Sequence, residues 1–175
     1  MNKRSSSSSS ATAIVGAISP GAANYRDGSM KQKAKLYERR GKLFVRTSSM
    51  TTTGIWLEVG DCTSLEGSAS TEEIADAVRL RLAASGGRVR HPRSFGGDDP
   101  AGPLLRAAAV GSWSTFGKLA KCVKIEEEEG RLRISPTINN RPGFTVIEDG
   151  VIQVPVDTDS RVLGEHLRQA LAASK

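Results

Sequence analysis

Val123-Lys124-Ile125-Glu126-Glu127-Glu128-Glu129-Gly130-Arg131-Leu132-Arg133-Ile134 is the stretch on which the fold turns. Two strand-like runs flank Glu129-Gly130, a dipeptide of the kind that a two-residue turn with positive φ requires. Folding about it sets Glu128 opposite Arg131 and Glu126 opposite Arg133. These four side chains share one face, and Val123, Ile125, Leu132 and Ile134 share the other. That alternation predicts an antiparallel hairpin with one buried face and one solvated face, whose cross-strand ion pairs contribute roughly 0.2 to 1 kcal/mol each. Glu127 and Glu129 are left without partners.

The same signal recurs on either side. Arg40-Gly41 predicts a hairpin of residues 35–39 with 42–46, placing Tyr37 opposite Phe44 and Leu36 opposite Val45. Asp149-Gly150 predicts a third, with residues 144–148 facing 151–155. Ile55, Leu57 and Val59 alternate with Trp56 and Glu58, which reads as a strand with one apolar face. Ser70-Thr71-Glu72-Glu73 fits a capping box, and Ile74, Ala77, Val78 and Leu82 follow at helical spacing until Gly86-Gly87. Asp157, Thr158 or Asp159 can cap a second helix whose apolar face carries Leu163, Leu167, Ala170 and Leu171. Residues 85–103, rich in Gly, Pro, Arg and Asp, read as a mobile loop, and residues 104–110 as a short helix. Strands in hairpins separated by helices indicate an α+β fold: an antiparallel sheet built from hairpins, packed against two amphipathic helices.

Composition agrees with a single globular domain. The chain has 175 residues, 25% charged and 38% apolar, proportions at which one core forms without disulfides or metals. No apolar run approaches the roughly 20 residues of a membrane-spanning helix. Residues 1–33, with the serine run from Ser5 to Ser10, read as a disordered low-complexity extension. Its apolar patch around Ile14 and Val15 is broken by Gly16 and Pro20, too short for a secretion signal. Residues 34–175 form the domain. The net charge is +6, but Lys3, Arg4, Arg26, Lys31 and Lys33, opposed only by Asp27, place most of the excess in the extension. A nucleic acid is therefore not a required partner. Cys62 and Cys122 stand alone, outside any metal or disulfide spacing, and a reducing cytoplasm is the expected compartment.

No motif defines a catalytic centre, and neither cofactor nor metal is expected. Gly111-Ser112-Trp113-Ser114-Thr115-Phe116-Gly117-Lys118 imitates a phosphate loop, but five residues separate its glycines and Leu119 stands where magnesium needs Ser or Thr. His91 and His166 have neither metal-ligand spacing nor a nucleophile beside them. His91 sits with Arg88, Arg90 and Arg93, so the alternative function is a nucleic-acid-associated module using that loop and the basic tail; Asp98 and Asp99 dilute its charge. Trp113 and Phe116 fall on one face of a helical turn. At least one belongs to the core, and an exposed member would anchor an interface.

Three segments carry a family resemblance: residues 113–121, beginning Trp113-Ser114-Thr115-Phe116; Ile134-Ser135-Pro136-Thr137 with the later Gly143-Phe144; and residues 163–171, beginning Leu163-Gly164-Glu165-His166. Over residues 31–175 the chain resembles the immunity proteins of bacterial contact-dependent growth inhibition systems. The resemblance implies a cytoplasmic, non-enzymatic protein that binds and neutralises the toxic C-terminal domain of a large surface-delivered protein, often a nuclease. Against such a basic partner Glu127, Glu129, Asp98 and Asp99 would be contacts, with Trp113 as an anchor.

Overall fold

The computed structural model describes residues 31–91 and 99–175. Strands β1 (Gln32–Arg39) and β2 (Lys42–Thr51) are joined at Arg40 and Gly41, whose φ values of 51° and 72° are the positive pair of a type I′ turn. Their register pairs Tyr37 with Phe44 and Leu36 with Val45, as expected. Gln32 and Lys33, assigned from sequence to the extension, lie within β1. Next come β3 (Trp56–Glu66), α1 (Thr71–Ala83), the two-residue β4 (Arg88–Val89), α2 (Gly102–Ala107) and α3 (Trp113–Gly117). β5 (Lys121–Glu128) and β6 (Arg131–Asn139) form the second hairpin, with φ of 52° at Glu129 and 74° at Gly130. Glu126 faces Arg133 and Glu128 faces Arg131, the register read from sequence, but the expected ion pairs across β5 and β6 are replaced by pairs of Glu126 with Lys33, Glu128 with Lys31 and Arg133 with Glu148. β7 (Phe144–Val146), a 3-10 turn (Glu148–Gly150), β8 (Ile152–Pro155) and α4 (Ser160–Ala173) complete the chain.

The third hairpin does not form. β7 pairs with residues 137–139 of β6 and β8 with residues 131–134, so residues 144–155 run as one broken strand along the open edge of β6. Pro136, which has no N–H to donate, sits at the break, and its carbonyl accepts from Ile147 N at 2.9 Å. Gly150 is needed for closeness, not for a positive φ: a Cβ there would stand 2.7 Å from Pro136 Cγ.

The sheet order is β3-β2-β1-β5-β6-β7, antiparallel throughout this path, with β4 parallel to the end of β2 and β8 beside β6. One face is covered by α1 and α4. Ser70 and Glu73 make the expected capping box, and Asp159 caps α4. Ile74, Val78, Leu82, Leu163 and Leu167 pack on Leu36, Val45, Val123 and Ile134 from the sheet. Residues 92–98, within the segment read as a mobile loop, lie outside the described residues. Among those described, no helix is long and apolar enough to cross a membrane.

Candidate functional site

The second face of the sheet is only half roofed. Over Tyr37, Phe44 and Cys122, α2 and α3 supply Leu104, Leu105 and Phe116 and close a small aromatic core. Phe116 lies edge-on to Tyr37 and Phe44, with centroids 5.5 and 6.1 Å apart. Arg39 holds α3 down by donating to the carbonyls of Phe116 and Thr115 at 3.2 and 3.3 Å. Beyond that roof the strands expose a ladder of charges. Lys33 pairs with Glu126 at 2.6 Å, Lys31 with Glu128 at 2.7 Å and Arg133 with Glu148 at 2.7 Å.

Glu58 joins the roofed and open halves. Its Oε1 accepts from the Tyr37 hydroxyl at 2.6 Å and from Lys35 Nζ at 2.7 Å, and its Oε2 lies 3.6 Å from Arg46 Nε. The alternation of residues 55–59 suggested an apolar face. Instead Ile55 is exposed, Leu57 and Val59 are half-buried, and Glu58 is the residue that reaches inward, because the neighbouring strands offer it two cations and a phenol. Arg46 has no exposed surface and donates to the carbonyls of Gly60 and Pro100 at 3.0 and 2.7 Å. The first of these contacts exists because β3 bulges: Arg46 pairs with Cys62 but Thr47 with Val59, leaving Gly60 and Asp61 extra. Burial opposes the charge on Lys35, yet the Glu58 carboxylate outweighs it and raises the pKa of the ammonium above 10.5. Burial, reinforced by Glu58, pushes the Tyr37 phenol well up. Burial also pushes the Cys62 thiol to about 11 and the Cys122 thiol to about 12, so neither is an activated nucleophile. A cavity of about 550 Å³ beside Arg46 and Glu58 is rimmed by Asp61, Arg90, Asp99 and Arg106.

The residues singled out from sequence are dispersed. Trp113 is half-buried: its ring stacks on Phe116 with centroids 5.5 Å apart, and its Nε1 donates to Pro142 O at 2.8 Å. It forms a wall of a recess with Phe144 and Arg141 rather than a projecting anchor. Glu127 and Glu129 lie at the far end of β5 and its turn, about 20 Å or more of strand away from Trp113. Glu127 faces the α1 side, where the Gln32 amide can donate to it at 3.0 Å. Asp99 is exposed and accepts from Ala101 N at 2.9 Å; Asp98 and Arg93 lie outside the described residues. His91 Nδ1 is 3.1 Å from the Thr53 hydroxyl, and the imitation phosphate loop is the short helix α3, capped by Ser112. Lys35, Arg46 and Glu58 were missed. Arg46 between Val45 and Thr47 was the available signal, a charge inside a strand buried on both faces.

The class of molecule defined so far is an α+β domain with one sheet face closed by helices and the other half open and charged. Neither a family model nor a curated protein sequence matches the chain. By structure it is similar to a protein of unknown function from Neisseria meningitidis, with TM-score 0.69 and 17% identity over 85% of this chain and 98% of that one. It is also similar to a chain of the CdiA-CT/CdiI toxin and immunity complex from Yersinia pseudotuberculosis, with TM-score 0.66 and 16% identity over 85% of this chain and 100% of that one. At these identities the likeness is one of fold.

Proposed function

We propose that the chain is an immunity protein that binds and neutralises the C-terminal toxin domain, a nuclease, of a contact-dependent growth inhibition system. It works by surface contact and not by turnover. The observation that carries this is the likeness in fold, covering 100% of the other chain, to a chain of a toxin and immunity complex. The resemblance of residues 113–121, 134–137 with 143–144, and 163–171 to such immunity proteins points the same way. A sheet clamped between two cores is also a suitable scaffold, because tight and selective binding is favoured when little has to be ordered on association. Trp113, Glu127, Glu129 and Asp99 remain candidate contacts.

Co-expression with a C-terminal toxin domain identified from the gene neighbouring that of this chain tests the proposal. Growth should be restored, and the two proteins should co-purify as a stable complex, whereas a toxin domain from an unrelated system should kill and not bind. Unrelieved killing with no complex would overturn it. Salt-steep binding of oligonucleotides by the purified chain would instead favour a nucleic-acid-associated module.

A further inference from the structure

Three cations stand side by side across the middle of the open sheet face. Arg46 pairs directly with Lys35 across β2 and β1, and Lys35 pairs directly with Lys124 across β1 and β5. Like charges directly opposite one another destabilise a sheet. One carboxylate, Glu58, serves the row: its Oε1 accepts from Lys35 and Tyr37, and its buried Oε2 lies 3.6 Å from Arg46 Nε without a hydrogen bond among the described residues, so none of it reaches Lys124. Lys33, the next cation on the face, is held by Glu126 and lies over the Trp56 ring with Nζ 4.8 Å from the centroid. Lys124 is half-buried and has neither ion pair nor side-chain hydrogen bond among the described residues. It lines a recess of about 230 Å³ whose other walls include Lys33, Lys35, Ser48, Trp56 and Glu126. A solvated sheet face explains the paired charges beside this recess but not an unpaired lysine placed against a second lysine. Local conflicts of this kind mark functional positions, since a fold retains them only when something else removes the conflict.

We propose that this recess receives a carboxylate side chain of the protein partner, which pairs with Lys124 while the chain flanking it lies on Trp56. It rests on the proposal that the partner is a protein toxin domain, and it names the chemistry the toxin presents. Charge complementarity selects an acidic group. The flanking Glu58 and Glu126 then reject a nucleic-acid backbone, whose closely spaced phosphates would have to pass over both carboxylates, whereas one Asp or Glu side chain fits between them. Residues 1–30 do not suit the recess, because their lysine and arginines outnumber Asp27.

The test uses the full chain and the toxin domain that passes the co-expression test above. Lys124→Glu should raise the melting midpoint of the free chain by roughly 1 to 4 °C, because it replaces a repulsion with an ion pair to Lys35. The same substitution should weaken toxin binding by about tenfold or more, measured by calorimetry. Lys124→Gln should show both effects in smaller degree, and Arg161→Glu, exposed on α4 across the sheet, should leave affinity unchanged. Unaltered affinity in Lys124→Glu, an equal loss in Arg161→Glu, or a lowered midpoint in Lys124→Glu would each overturn the inference while leaving the immunity function intact. Failure of the unsubstituted chain to bind the toxin would remove the function itself. Binding of a single-stranded RNA oligonucleotide that is lost in Lys124→Glu would overturn the choice of a protein partner.

Discussion

Cys122 shows how far a single buried group can set the chemistry of this molecule. It has no exposure, and its thiol is pushed from 9.0 up to about 12 by burial. Cys62, half-buried, is pushed up to about 11 for the same reason. In the unfolded chain both thiols ionise near 9, so the folded state holds more protons between about pH 9 and the raised values. Their contribution to stability is therefore complete below about pH 9 and is lost as pH rises through that window. Lys35 acts in the same direction: its pKa is raised, so its contribution is present below 10.5 and is lost as pH climbs through the raised value. Urea midpoints taken at about pH 8 and about pH 10.5 should fall in the native chain and fall less in Cys122→Ala. Equal declines in the two proteins would mean that the thiol is not a source of the alkaline loss.

At the level of elements, α1 and α4 meet so closely that one position on α4 admits no side chain. A Cβ on Gly164 would stand 2.0 Å from Thr71 O and 2.5 Å from Thr71 C, at the first residue of α1. A glycine inside a helix is ordinarily destabilising relative to alanine, so here backbone contact between helices outweighs propensity. Gly164→Ala should lower stability by about 1 to 3 kcal/mol in urea denaturation, because the helices must separate; a neutral or stabilising result would contradict the contact. The same kind of reason explains the missing third hairpin. Gly150 signals a close approach, to Pro136, and nothing local distinguishes that use of glycine from a turn with positive φ. At Gly41 and Gly130 the turns form as expected because the flanking strands match in apolar phase, and the residue before each glycine, Arg40 or Glu129, adopts a positive φ.

In the whole molecule, two cores lie on opposite faces of one sheet and share β1, β2 and β5. The helices α1 and α4 cover one face and the aromatic core lies on the roofed half of the other, so damage to either core loosens strands that both need. Phe116 is fully buried on the aromatic side. Phe116→Ala should lower stability by about 3 to 5 kcal/mol. Tryptophan fluorescence, sensitive to Trp113 beside Phe116, and far-UV circular dichroism, dominated by α1 and α4 on the other face, should report one shared midpoint. Separate midpoints would divide the molecule into two folding units.

Local alternation and turn chemistry in the chain suffice for the α+β class, the two type I′ hairpins with their registers, the capping box of α1 and the apolar faces of α1 and α4, and they narrow the cap of α4 to three residues, of which the structure uses Asp159. Each of these depends on residues within a few positions of one another, where period and stereochemistry leave few alternatives. The Glu58 network, the row of Arg46, Lys35 and Lys124, the wall-like placement of Trp113 and the broken strand along β6 depend on strand order, which brings together residues far apart in the chain. Period-two patterning says which side chains share a face, but it does not say which strand lies beside which. Strand order follows from the long-range burial of the two cores, and only the folded tertiary arrangement decides it.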